Sequence, residues 1–191
     1  MKQLYVIAGC NGVGKTTASY TILPEILDCK EFVNADEIAK GLSPFQPESA
    51  NIQAGRLMLI RIKSLLERGE NFAFETTLST KSHAGLIQHA KNSGYAVTLL
   101  LFWLNSTDLA IKRVKTRVIE GGHSIPENVI IRRYHRGLRN FFKIFRPIVD
   151  DWLLIDNSGE PYQIIAEGTQ LSEDILNKEI WTSLQSSYHD R

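Results

Sequence analysis

The sequence predicts an α/β fold: a parallel β-sheet flanked by helices. Three observations lead there. Short apolar runs alternate with helix-length stretches along most of the chain, which is the pattern of βαβ units rather than of hairpins. The most apolar run, residues 95–104, has no polar alternation, so it reads as a parallel strand covered on both faces. Residues 9–16 read Gly9-Cys10-Asn11-Gly12-Val13-Gly14-Lys15-Thr16, a G-x-x-x-x-G-K-T phosphate-binding loop set between a strand and a helix.

Each element has its own local reason. Residues 3–8 are a β-prone run feeding the loop, and a helix from about residue 14 to 21 follows, broken by Pro24. Residues 31–34 form a short second strand with Asp36 at its carboxyl end. A turn-rich connection, 41–47, leads to a long helix over 48–67. There the spacing of Ile52, Leu59, Ile62 and Leu66 predicts the buried stripe, and Gly69 ends the helix. Residues 72–74 are a third strand ending at Glu75. A polar loop (76–81), a helix to about 92 and a strand over 96–104 come next.

A helix over 107–120, a Gly121-Gly122-His123 loop and a second helix opened by Pro126 carry Arg113, Arg117, Arg132, Arg133, Arg136 and Arg139. His123 reads as a loop residue with a structural hydrogen bond. Residues 152–155 are a last buried strand, 156–159 a turn and 161–166 an edge strand. From residue 172 the tail reads as a final helix with Ile175, Leu176, Ile180 and Leu184 on its apolar side.

At 191 residues the chain suits a single domain, 1–191. A net charge of +1 argues against a general polyanion binder, but the charge is unevenly placed. Residues 112–146 hold ten Lys/Arg against two Glu, a basic lid-like helical segment beside an anionic ligand. Phe141, Phe142, Phe145 and Trp152 lie next to it at a spacing that reads as a core-facing stripe, not a nucleic-acid stacking platform. The longest apolar run is about half a membrane span, and no leader is expected before a loop that starts at residue 9. Two cysteines, one inside the phosphate loop, make no metal pattern and fit a reduced, cytoplasmic chain.

The chemistry follows from where open parallel sheets bind ligands, at the carboxyl ends of their strands. Gly9, Asn11, Gly12, Val13, Gly14, Lys15, Thr16 and Thr17 would hold ATP, with Lys15 on the β- and γ-phosphates and the Thr16 hydroxyl on Mg²⁺. Asp36, at the next strand end, is either a general base for an acceptor hydroxyl or the N-cap of a short helix. Glu75 holds a Walker-B-like position, where it would orient a metal-bound water or bind substrate, with Thr77 beside it; the alternative is a turn cluster with Thr76, Ser79 and Thr80. Of the arginines, Arg117 and Arg133 are the candidates to reach phosphate, and the rest read as a solvated basic face.

Taken together, the phosphate loop, Phe32-Val33-Asn34-Ala35-Asp36-Glu37, Phe74-Glu75-Thr76-Thr77 and Arg117-Val118-x-x-Gly121-Gly122-His123 with Arg132-Arg133-Tyr134 resemble the zeta-toxin-like P-loop kinases, in the compact branch often labelled predicted ABC-type ATPases. No ABC signature motif accompanies that label. The resemblance runs to about residue 157. It implies a nucleoside-monophosphate-kinase-like P-loop fold and ATP/Mg²⁺-dependent transfer to a small-molecule hydroxyl, in zeta toxins that of UDP-N-acetylglucosamine. It also implies Lys15 and Thr16 on ATP and Mg²⁺, Asp36 as base, and Glu75 and Thr77 on the substrate side. Arg117 and Arg132 or Arg133 would clamp phosphates, and an antitoxin protein would be the partner. The long helix departs from the pattern by carrying Arg56, Leu59 and Arg61 where a further acidic substrate contact is expected. Two other readings stay open, a nucleotide-dependent ATPase or switch and a polynucleotide 5′-hydroxyl kinase.

Overall fold

A computed structural model describes residues 1–122 and 124–190, so the expectation for His123 lies outside the described residues. Seven strands form one sheet: β1 (Lys2–Ala8), β2 (Glu31–Val33), β3 (Phe72–Thr76), β4 (Tyr95–Trp103), β5 (Asp151–Asp156), β6 (Gln163–Thr169) and β7 (Glu173–Ile175). The helices are α1 (Lys15–Thr21), α2 (Ala35–Leu42), α3 (Asn51–Arg68), α4 (Ser82–Asn92), α5 (Thr107–Ile119), α6 (Glu127–Asn140) and α7 (Lys178–Tyr188). The sheet order is β2-β3-β1-β4-β5-β6-β7. The first five strands in that order are parallel; β6 pairs antiparallel with β5, and β7 antiparallel with β6.

This topology sets the site. The chain crosses from β1 to β2 and back to β3, so β1 lies between β3 and β4, and the ends of β1, β2 and β3 open on one rim. In β1, residues Leu4 to Ala8 are buried in unbroken succession, as are Leu99 to Trp103 of β4, which requires cover on both faces of the sheet. Phe141, Phe142 and Phe145 are at most 1% exposed. Phe141 packs on Trp152 and Phe142 on Trp181, and the two tryptophan rings stack at 5.4 Å and 8°. The aromatics beside the basic segment therefore belong to the core. The Arg146 guanidinium lies over Trp152 and Trp181 at 5.4 and 5.5 Å.

Three expectations are corrected. The buried stripe of α3 is Ala54, Met58, Ile62, Leu65 and Leu66, while Ile52 and Leu59 are exposed. Ala54 packs with Ala50 and with Ala39 of α2, Met58, Ile62, Leu65 and Leu66 join the main core, and Ile52, Leu59 and Ile60 face solvent. The tail does not run as one helix from residue 172. Ile175 ends β7, Leu176 is exposed, and α7 starts only after Asn177 caps it through a bond from Ile180 N–H. The strand expected at the edge, β6, is covered by β7, which takes the edge instead. Residues 35–42, where the sequence offered a short helix only as the alternative reading of Asp36, form α2.

Candidate active site

The phosphate loop joins β1 to α1. At Gly9, φ is +141°, and a Cβ would sit 2.4 Å from the Phe102 carbonyl oxygen, so only glycine lets the loop lie against β4. Gly14, at the N-cap of α1, leaves the following N–H groups free of any side-chain cap. Val13 is buried, and its carbonyl oxygen accepts from Asn157 Nδ2 at 2.7 Å, which pins the loop to the turn after β5.

Behind the loop, buried polar groups converge. Lys15 is 6% exposed; its Nζ donates to the Cys10 carbonyl at 3.0 Å and lies 3.4 Å from Glu75 Oε1. Thr16 Oγ1 donates to Glu75 Oε2 at 2.7 Å. Asn34 Nδ2 donates to the same oxygen at 2.8 Å. Glu75 thus turns toward the phosphate loop. Thr77 Oγ1 pairs with Ser79 Oγ at 2.9 Å.

Asp36 stands across from this cluster in the first turn of α2. The cap of α2 is Asn34, whose Oδ1 accepts from the N–H groups of Asp36 and Glu37, so the Asp36 carboxylate is not used for capping. A cavity of about 270 Å³ is lined by Thr16, Asp36, Glu37, Lys40, Arg117 and the 120–122 turn. It shares Lys40, Gly121 and Gly122 with a second cavity of about 430 Å³, bounded by Pro44, Phe45 and Ser124.

The two arginines of α5 part ways. Arg117 lines the Asp36 cavity, with Nε and Nη2 buried and without a hydrogen-bond partner among the described residues. Arg113 donates to the Ser158 carbonyl at 3.2 Å and lines a third cavity of about 940 Å³ on the other side of the loop. Thr17, Phe102, Asn157 and Tyr162 also line that cavity. On α6, Arg132, Arg136 and Arg139 are exposed, while Arg133 turns inward and donates to Asn11 Oδ1 at 3.0 Å. Burial lowers the pKa of Arg133, and the nearby Asp36 carboxylate opposes that shift. The segment is packed in place, because Tyr134 is buried and donates to the Leu104 carbonyl at 2.6 Å. Burial pushes the Cys10 thiol up to about 11, against the smaller opposing pull of Lys15.

Sequence reasoning passed over Asn34, Asn157 and the separate destination of Arg113. The first had a signal: an Asn directly after a strand, with acids two and three residues on, is a helix start. The other two depend on long-range placement and had none.

The sequence matches the family model described as Zeta toxin over residues 1–168. An uncharacterized protein of Haemophilus influenzae is 31% identical over 126 residues, 66% of this chain and 88% of that one. Among solved structures, the AvrRxo1-ORF1:-ORF2 complex with ATP is similar at a TM-score of 0.76 and 18% identity over 98% of this chain; the chain spans 64% of that chain's length. A structure from the PezAT chromosomal toxin–antitoxin system of Streptococcus pneumoniae is similar at a TM-score of 0.65 and 16% identity, over 100% of this chain and 87% of that one. At such identities the structural likeness speaks for the fold. The family match stops one residue short of the end of β6, leaving only β7, α7 and their connections outside it, and on that extent the chain belongs to the zeta-toxin family, a P-loop kinase by architecture.

Proposed function

We propose that the protein transfers the γ-phosphate of ATP to a hydroxyl of a small molecule, with Asp36 as the general base. One observation supports this most: a single cavity brings together Thr16 of the phosphate loop, Asp36 and Arg117. In the proposed reaction Asp36 orients the acceptor hydroxyl and takes its proton. The acceptor oxygen bonds to the γ-phosphorus, the bond to the β,γ-bridging oxygen breaks, and ADP leaves.

The residues fit a bound ATP. The glycine loop admits no side chain at Gly9, Lys15 is held at the loop's base, and Arg117, whose Nε and Nη2 have no partner among the described residues, lines the Asp36 cavity with a guanidinium that suits phosphate oxygens. The cavity beside Arg113 and Asn157 would take the nucleoside, and the Asp36 cavity with its extension past Phe45 the acceptor. Among the described residues no group of three or more His, Cys, Asp or Glu side chains is arranged to hold a metal. That suits Mg²⁺, which is commonly held by one or two protein groups and substrate phosphates, here Thr16 with Glu75 behind it. When bound, Mg²⁺ neutralises charge on the transferred group.

UDP-N-acetylglucosamine is the acceptor the family suggests. The sequence departure on α3 bears on it, since Arg61 is taken by Glu31 at 2.6 Å and offers no acid to a sugar. An inhibitory antitoxin is part of the proposal, by analogy with the pneumococcal toxin–antitoxin neighbour. Two buried free thiols suit a cytoplasmic setting, and among the described residues no helix is long and apolar enough to cross a membrane. The test pairs two variants. Lys15→Ala should lose nucleotide affinity together with turnover. Asp36→Asn should keep nucleotide affinity and lose transfer by about 10²–10⁴-fold. Full transfer by Asp36→Asn contradicts the base assignment.

A further inference from the structure

The two halves of the site are joined through one side chain. Asn34 is 5% exposed and uses both ends of its amide. Its Oδ1 accepts from the N–H groups of Asp36 at 2.8 Å and Glu37 at 3.4 Å, and so starts α2. Its Nδ2 donates to Glu75 Oε2 at 2.8 Å and reaches Thr16 Oγ1 at 3.4 Å. Two backbone donors at one end and a carboxylate at the other allow only this orientation of the amide. Glu75 in turn accepts a hydrogen bond from the Thr16 hydroxyl, so Glu75 and Asn34 together fix how that hydroxyl is turned.

A cap alone does not explain this residue. Asp or Ser would cap α2 as well. Asp would set a second carboxylate against Glu75, and Ser is too short to hold the cap and reach Glu75 together. Asparagine meets both demands because its two ends have opposite hydrogen-bonding character.

We propose that Asn34 is a positioning residue that couples the phosphate side of the site to the acceptor side, keeping Thr16 and Glu75 in register with Asp36. The inference rests on the kinase reading above. It predicts that the bridge acts on turnover and not on whether the chain folds.

Three variants separate the bridge from the cap. Asn34→Ser keeps the cap and loses the donor. Its melting temperature should stay within about 3 °C of wild type. Its kcat should fall about 10–100-fold with the acceptor KM unchanged. Asn34→Ala loses both functions and should fall in both measures.

Asn34→Asp is read in the unliganded protein at neutral pH. It keeps the cap and sets a second carboxylate in place of the Nδ2 donor that lies 2.8 Å from Glu75 Oε2. It should melt several degrees below Asn34→Ser, which keeps the cap without the added charge.

Wild-type kcat in Asn34→Ser, or an Asn34→Asp protein as stable as Asn34→Ser, overturns the proposal. A wild-type protein that binds ATP and phosphorylates nothing sinks the kinase reading instead, and the stability order of Asn34→Asp and Asn34→Ser still decides the bridge.

Discussion

Asp36 faces the cavity because the residue two before it does the capping. Sequence left base and cap as alternatives for Asp36, since Asp serves both, and only placement separates them. The arginines divide in a similar way. Arg117 lines the Asp36 cavity, and Arg113 borders the cavity on the other side of the loop. Arg117→Ala should lower kcat by about 10²–10³-fold, and Arg113→Ala should mainly raise the nucleotide KM. Steady-state kinetics with ATP as the varied substrate distinguish the two; equal effects on kcat from both would contradict the division. The thiols give a pH prediction. Burial raises both Cys10 and Cys29 to about 11, so both stay protonated near neutrality. At pH 8 their thiolate fraction is about a hundredfold below that of an exposed cysteine, and a thiol reagent should label the native chain correspondingly slowly. Labelling should quicken as pH climbs toward the raised value, and it should be fast at pH 8 once the chain is unfolded.

At the scale of elements, α6 holds the loop after β3 in place. Gly137 passes so close that a Cβ would lie 2.6 Å from the Thr77 carbonyl oxygen, and Asn140 Nδ2 donates to the Leu78 carbonyl at 2.6 Å. Alanine usually favours a helix over glycine by about 1 kcal/mol. Here Gly137→Ala should instead destabilise by about 1–3 kcal/mol, because α6 must move off the loop. Urea unfolding measures it, and a stabilised variant would show that the contact is loose. Nothing in the sequence marks Gly137, whose meaning lies in a backbone sixty residues away. The same limit explains α3. Its periodicity was legible, but the side it buries is chosen by fit: Ala54 packs close on Ala39 and Ala50 and Met58 joins the main core, while Ile52 and Leu59 face solvent. In the tail, Ile175 and Leu176 match a helical pattern, yet the free edge of β6 recruits Glu173–Ile175 as a strand. A long-range backbone partner there outweighs local propensity.

At the scale of the molecule, the parallel sheet, the loop and the three strand ends were readable from the chain, because apolar runs and glycine spacing are local signals. What the sheet order adds is convergence: β1 lies beside β3, and β3 beside β2, so Lys15, Glu75 and Asn34 meet. If that convergence holds nucleotide, ATP at a hundred times its Kd should stabilise the fold by about 2.7 kcal/mol. For a chain of this size that is a rise of roughly 5–10 °C in melting temperature, and Lys15→Ala should abolish it. The central claim, transfer to a hydroxyl with Asp36 as base, is tested most directly by incubating a metabolite extract with the protein, ATP and Mg²⁺ and reading new phosphorylated species by mass spectrometry. UDP-N-acetylglucosamine and a 5′-hydroxyl RNA serve as defined arms. The account predicts at least one small molecule gaining a single phosphate with wild-type protein and not with Asp36→Asn. Phosphate appearing only on the RNA, only as free inorganic phosphate, or equally with both proteins would contradict it.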